Sequence, residues 1–244
     1  MMNVFITGGS SGLGWGLAKF YLDQGHRVAI ACRDCSKLPK EAGKYKQLYK
    51  YDVDVCKHDI LIDAVKNFSQ GKLDMVIANA GIAIEHKVDI PDFDLARKII
   101  NTNVIGVINT FEAALSLMLK NKSGHLIAVS SVSGFVGVPY IGAYSASKSA
   151  VLKMCESYSI DLKKYGIDVS VIAPGFIDTP LTQKNTHRMP FLMTVDKAVS
   201  LIIPRVKKKK VLIIIPKRMF FAMFVLEKIP RAIYRFCMNF YKLK

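Results

Sequence analysis

The chain has 244 residues, enough for one large α/β domain or two small ones, and its 51% hydrophobic content excludes a disordered polymer. The net charge of +16 is uneven: residues 205–244 carry twelve Lys and Arg against the single acid Glu227, so a basic partner surface would belong to the C-terminus alone. Five scattered cysteines (32, 35, 56, 155, 237) do not read as a disulfide framework. The uncharged apolar runs VLIII and MFFAMFVL fall short of the roughly 18 residues a membrane-spanning helix needs. Strand-like sequence already begins at Asn3, so an intracellular, reducing, cytoplasmic setting is the expectation.

In chain order, NVFIT predicts a first strand, followed by a helix from Leu13 to Asp23. RVAIA and QLYKYDV predict two more strands, with a helix from Ile60 to Phe68 after the second. DMVIANAG precedes a helix from Leu95 to Leu119, and HLIAVSS precedes one from Ser145 to Tyr165. IDVSVIAPG, a loop, a helix from Asp196 to Ile203 and KVLIII complete the alternation. Alternating strands and amphipathic segments call for a parallel sheet with helices on both faces, and runs apolar throughout suit strands buried on both sides. The expected fold class is therefore α/β, a doubly wound Rossmann-type three-layer sandwich with a seven-stranded parallel sheet. One domain over residues 1–216 is expected, with 217–244 as a basic amphipathic extension.

TGGSSGLG, residues 7–14, lies between the first strand and its helix. There backbone N–H groups and a helix N-terminus can hold a pyrophosphate, whereas a glycine triplet elsewhere could be a bare turn. Gly8 permits the tight turn, Gly12 and Gly14 a close approach, and Ser10 and Ser11 offer hydroxyls. Dinucleotide sites choose their cofactor at the end of the second strand, where an acid binds the ribose 2′-hydroxyl and an arginine accommodates a 2′-phosphate. That strand ends here in Cys32-Arg33, which favours NADP(H) while leaving NAD(H) open, because Asp34 could instead pair with Arg33. Cys32 and Cys35 have the spacing of half a zinc site, but no second Cys or His pair stands at ligand spacing. No metal is expected, and the pair reads as two small apolar residues.

With these residues in place the chain resembles the short-chain dehydrogenases/reductases, in their single-domain branch of about 250 residues, over roughly 3–216. TGGSSGLG matches the family's TGxxxGxG, with Thr7 and Leu13 included. Asp52-Val53 matches the pair bordering the adenine, and ANAG, with Asn79, Ala80 and Gly81, matches NNAG with its first asparagine replaced. Asn103 matches the helix asparagine, Ser131 the catalytic serine, and Tyr144 and Lys148 the YxxxK pair. APGFIDT, with Pro174, Gly175, Ile177 and Thr179, matches the segment lining the nicotinamide. The resemblance implies a carbonyl reductase, reversible as an alcohol dehydrogenase acting on CH–OH donors. It gives Lys148 a ribose-binding role and Asn103 the positioning of a water that links Lys148 to solvent. It also implies a homodimer or homotetramer built on the two long helices.

Tyr144 and Lys148 stand four apart, on one helix face, so an ammonium beside the phenol, together with an oxidised nicotinamide, would lower its pKa from about 10. Tyr144 would then hand a proton to a carbonyl oxygen held by Ser131. Taken singly, each of Ser131, Asn103, Tyr144 and Lys148 has a bland structural reading. The rival function is a non-catalytic dinucleotide-binding sensor or scaffold, possibly membrane-peripheral, but such proteins commonly lack the Tyr or the Lys.

After the PG segment, residues 178–194 stand where the family places its substrate lid. Lys184, His187 and Arg188 could receive an anion there, and Met189, Phe191, Leu192 and Met193 could line an apolar pocket; a solvated loop with an apolar anchor explains them equally. Beyond Pro230, Arg231, Arg235 and Lys242 fall on one side of a helix and Ile233, Phe236, Cys237 and Phe240 on another. That pattern suits an anionic membrane surface, or else a helix packed on its own domain with a solvated basic face. With no recognised module present, nucleic acid is not expected. The ending also departs from the ketoacyl-carrier-protein reductases of the family, whose chains close soon after the last strand.

Overall fold

In the first strand, β1 (Asn3–Thr7), Val4 and Ile6 point into one core and Phe5 into another, because successive side chains of a strand face opposite ways. The computed structural model describes residues 1–83, 90–183 and 189–242, with the backbone alone for 222–224 and 240–242. The other strands are β2 (Arg27–Cys32), β3 (Leu48–Asp52), β4 (Met75–Ala78), β5 (Gly124–Val129), β6 (Ile167–Pro174) and β7 (Leu212–Ile215). All seven run parallel in the order β3-β2-β1-β4-β5-β6-β7. Chain order reverses between β1 and β4, which opens a crevice at the strand C-termini, as expected of a doubly wound sheet.

Helices α1 (Gly12–Asp23) and α6 (Val195–Lys207) cover one face of the sheet, burying Leu17, Tyr21 and Ile202 against Ile30 and Ile172. Helices α2 (His58–Ser69), α4 (Gly106–Asn121) and α5 (Gly142–Asp161) cover the other, burying Phe68, Phe111 and Val151 against Phe5 and Leu126. Two short helices, α7 (Lys217–Lys228) and α8 (Arg231–Lys242), follow the last strand.

The helix expected over 95–119 is continuous but not uniform. It begins as α3 (Phe93–Ile100), passes through a π turn at Asn101–Ile105 and continues as α4. Taken whole, Phe93–Asn121 has the length and hydropathy of a membrane span, which a search for uncharged runs misses. Half of an apolar 18-residue segment within it is buried, with Val107, Phe111 and Met118 in the domain core. The helix expected from Ser145 starts three residues earlier, so Tyr144 lies in its first turn.

Candidate active site

Gly8 to Gly14 wrap the start of α1 around one end of the crevice. Gly8 and Gly12 hold φ of +68° and +54°, the left-handed region that glycine enters without strain. A methyl group on Gly14 would lie 2.4 Å from both the Gly8 carbonyl oxygen and the Asn79 amide nitrogen. Ser11 is the N-cap of α1 but makes no side-chain cap, and the first turn contains no acid. The leading N–H groups of the helix therefore face the groove as an anion-binding end, and Ser10, Ser11, Gly12 and Leu13 line it.

The neighbouring β4 turn is tied to this loop. Asn79 Nδ2 donates to the carbonyls of Thr7 (3.0 Å) and Gly8 (2.9 Å), while the backbone N–H groups of Asn79 and Ala80 donate to Thr7 Oγ1. Thr7 is thus a buried support beneath the groove. Asn79, Ala80 and Gly81 do line it.

At the far end of β2, Arg33 lines the groove. Asp34 does not pair with it: its carboxylate takes the Ser36 N–H and hydroxyl and the Lys37 ammonium, at 3.1 Å, and holds its pKa below the usual carboxylate range. Asp52 is the last ladder residue of β3, and its carboxylate accepts the Cys35 backbone N–H at 2.7 Å. The crevice lies beyond the strand ends, so Val53, Asp54 and Val55 line it. YDVDV contains the acid and apolar pair twice, and sequence alone did not say where the ladder stops.

Cys32, Cys35 and Asp52 come within 4.8 Å of one another, a trio that β2–β3 pairing assembles and spacing along the chain does not disclose. Both thiols are buried, and desolvation pushes the Cys35 thiol up, away from thiolate.

The chemistry-bearing residues gather at the ends of β5 and β6. Ser131 follows β5 and Tyr144 sits in the first turn of α5, and both line the groove. Ser130, which sequence reading passed over, donates its hydroxyl to the Lys148 carbonyl at 2.7 Å and so locks strand end to helix. Lys148 is buried, and its ammonium donates to the Val129 carbonyl at 2.9 Å, lying 5.7 Å from the centre of the Tyr144 ring. Burial pushes the Lys148 pKa down to about 8.

The protein groups around Tyr144 do not by themselves supply the expected acidification. Burial raises the phenol pKa, and the Ser131 hydroxyl beside it pulls the other way. The pair shares a helix face, but the ammonium is directed at a strand carbonyl and is itself desolvated, so burial of the phenol wins.

Asn103 lies inside the π turn, a helical irregularity frequent at functional sites. Wholly buried, it accepts the Ile82 N–H (2.8 Å) and donates to the Ile82 carbonyl (2.9 Å) and to Ser147 Oγ (3.1 Å). A methyl group on Gly81 would sit 3.2 Å from Asn103 Oδ1 and 3.5 Å from Lys148 Nζ, so the two polar groups converge behind the groove. The neighbouring Thr102 and Ile82, also unforeseen, line the groove itself.

Pro174, Gly175, Ile177 and Thr179 close the opposite wall. Lys184, His187 and Arg188 lie outside the described residues. Of the apolar residues expected beside them, Met193 is buried in the core, bridged to Ile177, whereas Phe191 and Leu192 are exposed. The apolar-anchor reading holds for Met193.

The family model described as short chain dehydrogenase matches residues 2–190. An uncharacterized oxidoreductase of Myxococcus xanthus is 37% identical over 203 residues, 81% of this chain and 80% of that protein. One from Staphylococcus aureus is 34% identical over 181 residues, 72% of this chain and 78% of the other. Among solved structures, a short chain dehydrogenase from Burkholderia cenocepacia in complex with NADP superposes with a TM-score of 0.84 over 96% of both chains, at 24% identity. ElxO with NADP bound gives 0.79 at 26% identity, over 88% of this chain and 96% of that one.

Proposed function

Because this chain belongs to the short chain dehydrogenase family of oxidoreductases, we propose that it interconverts a carbonyl and a secondary alcohol with a nicotinamide dinucleotide, preferring NADP(H) to NAD(H). The observation that carries the reading is the convergence of Ser131, Tyr144 and Lys148 on one groove that starts at a glycine-built helix N-terminus. When bound, the dinucleotide supplies or accepts the hydride.

The fit of this chain to such a cofactor rests on a cradle that a single Cβ would fill at Gly14 and on Arg33, a cation with no ion pair among the described residues. The N–H groups opening α1, with Ser10 and Ser11, would take the pyrophosphate. Val53, Asp54 and Val55 would border the adenine, and Arg33 a 2′-phosphate. Pro174, Gly175, Ile177 and Thr179 would flank the nicotinamide, with Lys148 at its ribose.

In the reducing direction Ser131 holds the carbonyl oxygen and stabilises the charge that develops there. Tyr144, kept protonated by burial, donates its proton to that oxygen. Lys148 draws the resulting phenolate toward neutrality, and Asn103, anchored by Ile82 and Ser147, positions the route by which Lys148 is reprotonated. Removing one such hydrogen-bond donor from an oxyanion site costs about 10²–10³ in rate.

For quaternary structure we propose a homodimer or homotetramer through the outer faces of α4 and α5, where Phe111, Leu115, Leu119, Tyr158 and Leu162 line an apolar groove. Light scattering tests it.

The activity is tested by following NADPH oxidation against a panel of sugars, steroids, acyl ketones and quinones, with NADH for comparison. Turnover of at least one carbonyl with NADPH well above NADH is expected. Equal efficiency with NADH would overturn the role of Arg33, and no turnover across the panel would contradict the enzymatic reading.

A further inference from the structure

The two C-terminal helices pack on the domain by the wrong faces for a simple structural cap. On α8, Tyr234 is buried and its hydroxyl donates to the Gly137 carbonyl at 2.6 Å, while Ile233 and Phe236, on the side where the apolar residues concentrate, are 54% and 63% exposed. On α7, Met219 is buried against Gly175, and Phe221 and Val225, on the opposite side, are 68% and 43% exposed. A helix that closes its own core turns its richest apolar stripe inward.

On α7 the exposed apolar side chains stand among cations. Lys217 and Lys228 share the side of α7 that carries Phe221, whereas Arg231 and Arg235 lie on the side of α8 away from Ile233, with Glu227 the one acid in residues 217–244. A second copy of the chain would bring like charge against like charge across such a face. An anionic lipid surface supplies both things it lacks, negative charge and an apolar phase a few ångströms deep.

The same two helices border the substrate end of the groove. Gly137, the acceptor for Tyr234, lies between Ser131 and Tyr144, and Gly175, packed by Met219, lines the groove wall. The Arg218 guanidinium stands 5.8 Å over the ring of Phe191, an exposed residue beyond the PG segment.

We infer that α7 and α8 form a docking face for an anionic phospholipid surface, holding the mouth of the groove at that surface, and that the substrate is a carbonyl or alcohol carried in the lipid phase. The docking stands on the helices alone; the substrate class rests on the carbonyl–alcohol reading above. Arginine and lysine at an anionic leaflet each contribute about fivefold to partitioning, and salt weakens the attraction.

The experiment is flotation of the full chain with phosphatidylserine–phosphatidylcholine vesicles and with phosphatidylcholine alone. The comparison proteins are Lys217→Glu/Lys228→Glu and Phe221→Ser/Ile233→Ser, with circular dichroism and thermal unfolding as checks that each variant folds. Flotation with the anionic vesicles only, weakened by salt and falling roughly 25-fold or more in the charge-reversal variant, is the expected result. Failure of the wild type to float, or equal flotation of either variant, overturns the docking face. A halving of solution mass in Phe221→Ser/Ile233→Ser would assign the face to a second copy and overturn it equally.

Flotation needs no turnover, so its outcome is independent of the catalytic reading. With turnover in hand, the charge-reversal variant is expected to lose rate on a long-chain ketone held in vesicles and to keep it on a short water-soluble one. Equal rates on the vesicle-held ketone would overturn the substrate class.

Discussion

A methyl group added to Gly14 would meet two polar atoms at 2.4 Å, whereas one added to Gly137 or Gly142, in the stretch between Ser131 and Tyr144, would meet nothing within 4 Å. The glycine loop is packed to contact against the β4 turn. The substrate end is bordered by open loop, by exposed Phe191 and Leu192 and by two helices with apolar side chains facing outward. Tight packing fixes residue identity, and open space leaves it free. That difference is why the proposal for this groove is specific at the glycine loop and names only a class at the other end.

The sharpest blow to the reacting centre short of the tyrosine is Ser131→Ala. A drop of about 10²–10³ in kcat with NADPH affinity unchanged is expected, and steady-state kinetics with fluorescence titration checks it. The contrast between the two ends is tested by a matched pair of substitutions. Gly14→Ala overpacks the cradle, at a cost of about 1–3 kcal/mol, and is expected to weaken NADPH binding roughly 10- to 100-fold. Gly137→Ala, in open space, is expected to leave binding within about threefold. Similar losses in both would erase the distinction.

Lys148 provides a pH test. Its pKa is pushed from 10.5 to about 8 by burial, so its charge is lost above pH about 8 while Tyr144, shifted upward, stays protonated. The kcat/KM for reduction is expected to fall as pH rises through about 8. Stability should move the other way: between about 8 and 10.5 the unfolded chain binds the lysine proton and the folded chain does not. Unfolding free energy therefore rises with pH across that window, by up to roughly 3 kcal/mol. Denaturant titrations at both ends, repeated in Lys148→Met, check the sign. The smallest effect is at Arg33. Replacing it by alanine removes one charge-assisted contact and is expected to cost about tenfold in NADPH affinity and little in NADH affinity.

The sequence made the layered α/β fold legible because each strand carries its own apolar run and each helix its own periodicity. It named Tyr144, Lys148, Ser131 and the glycine loop, which line one groove, because those residues lie at fixed spacing within single strand–helix units. What it missed depends on contacts between units. The end of the β2–β3 ladder brings Asp54 and Val55 to the groove beside Val53. The π turn that turns Asn103 inward is an irregularity in a helix whose apolar pattern continues through it. The direction of the Tyr144 shift follows from burial, which helix spacing does not encode. On α8, the periodicity gave the amphipathic stripe, and only the packing of Tyr234 discloses which way it faces.

Single-turnover transfer from bound NADPH to a turned-over carbonyl, compared between the wild type and Tyr144→Phe, addresses the proton donor most directly. The phenylalanine variant is expected to bind NADPH within about threefold of wild type and to transfer at least about 10³-fold more slowly. Equal transfer rates in the two proteins would contradict the assignment of Tyr144 as the acid.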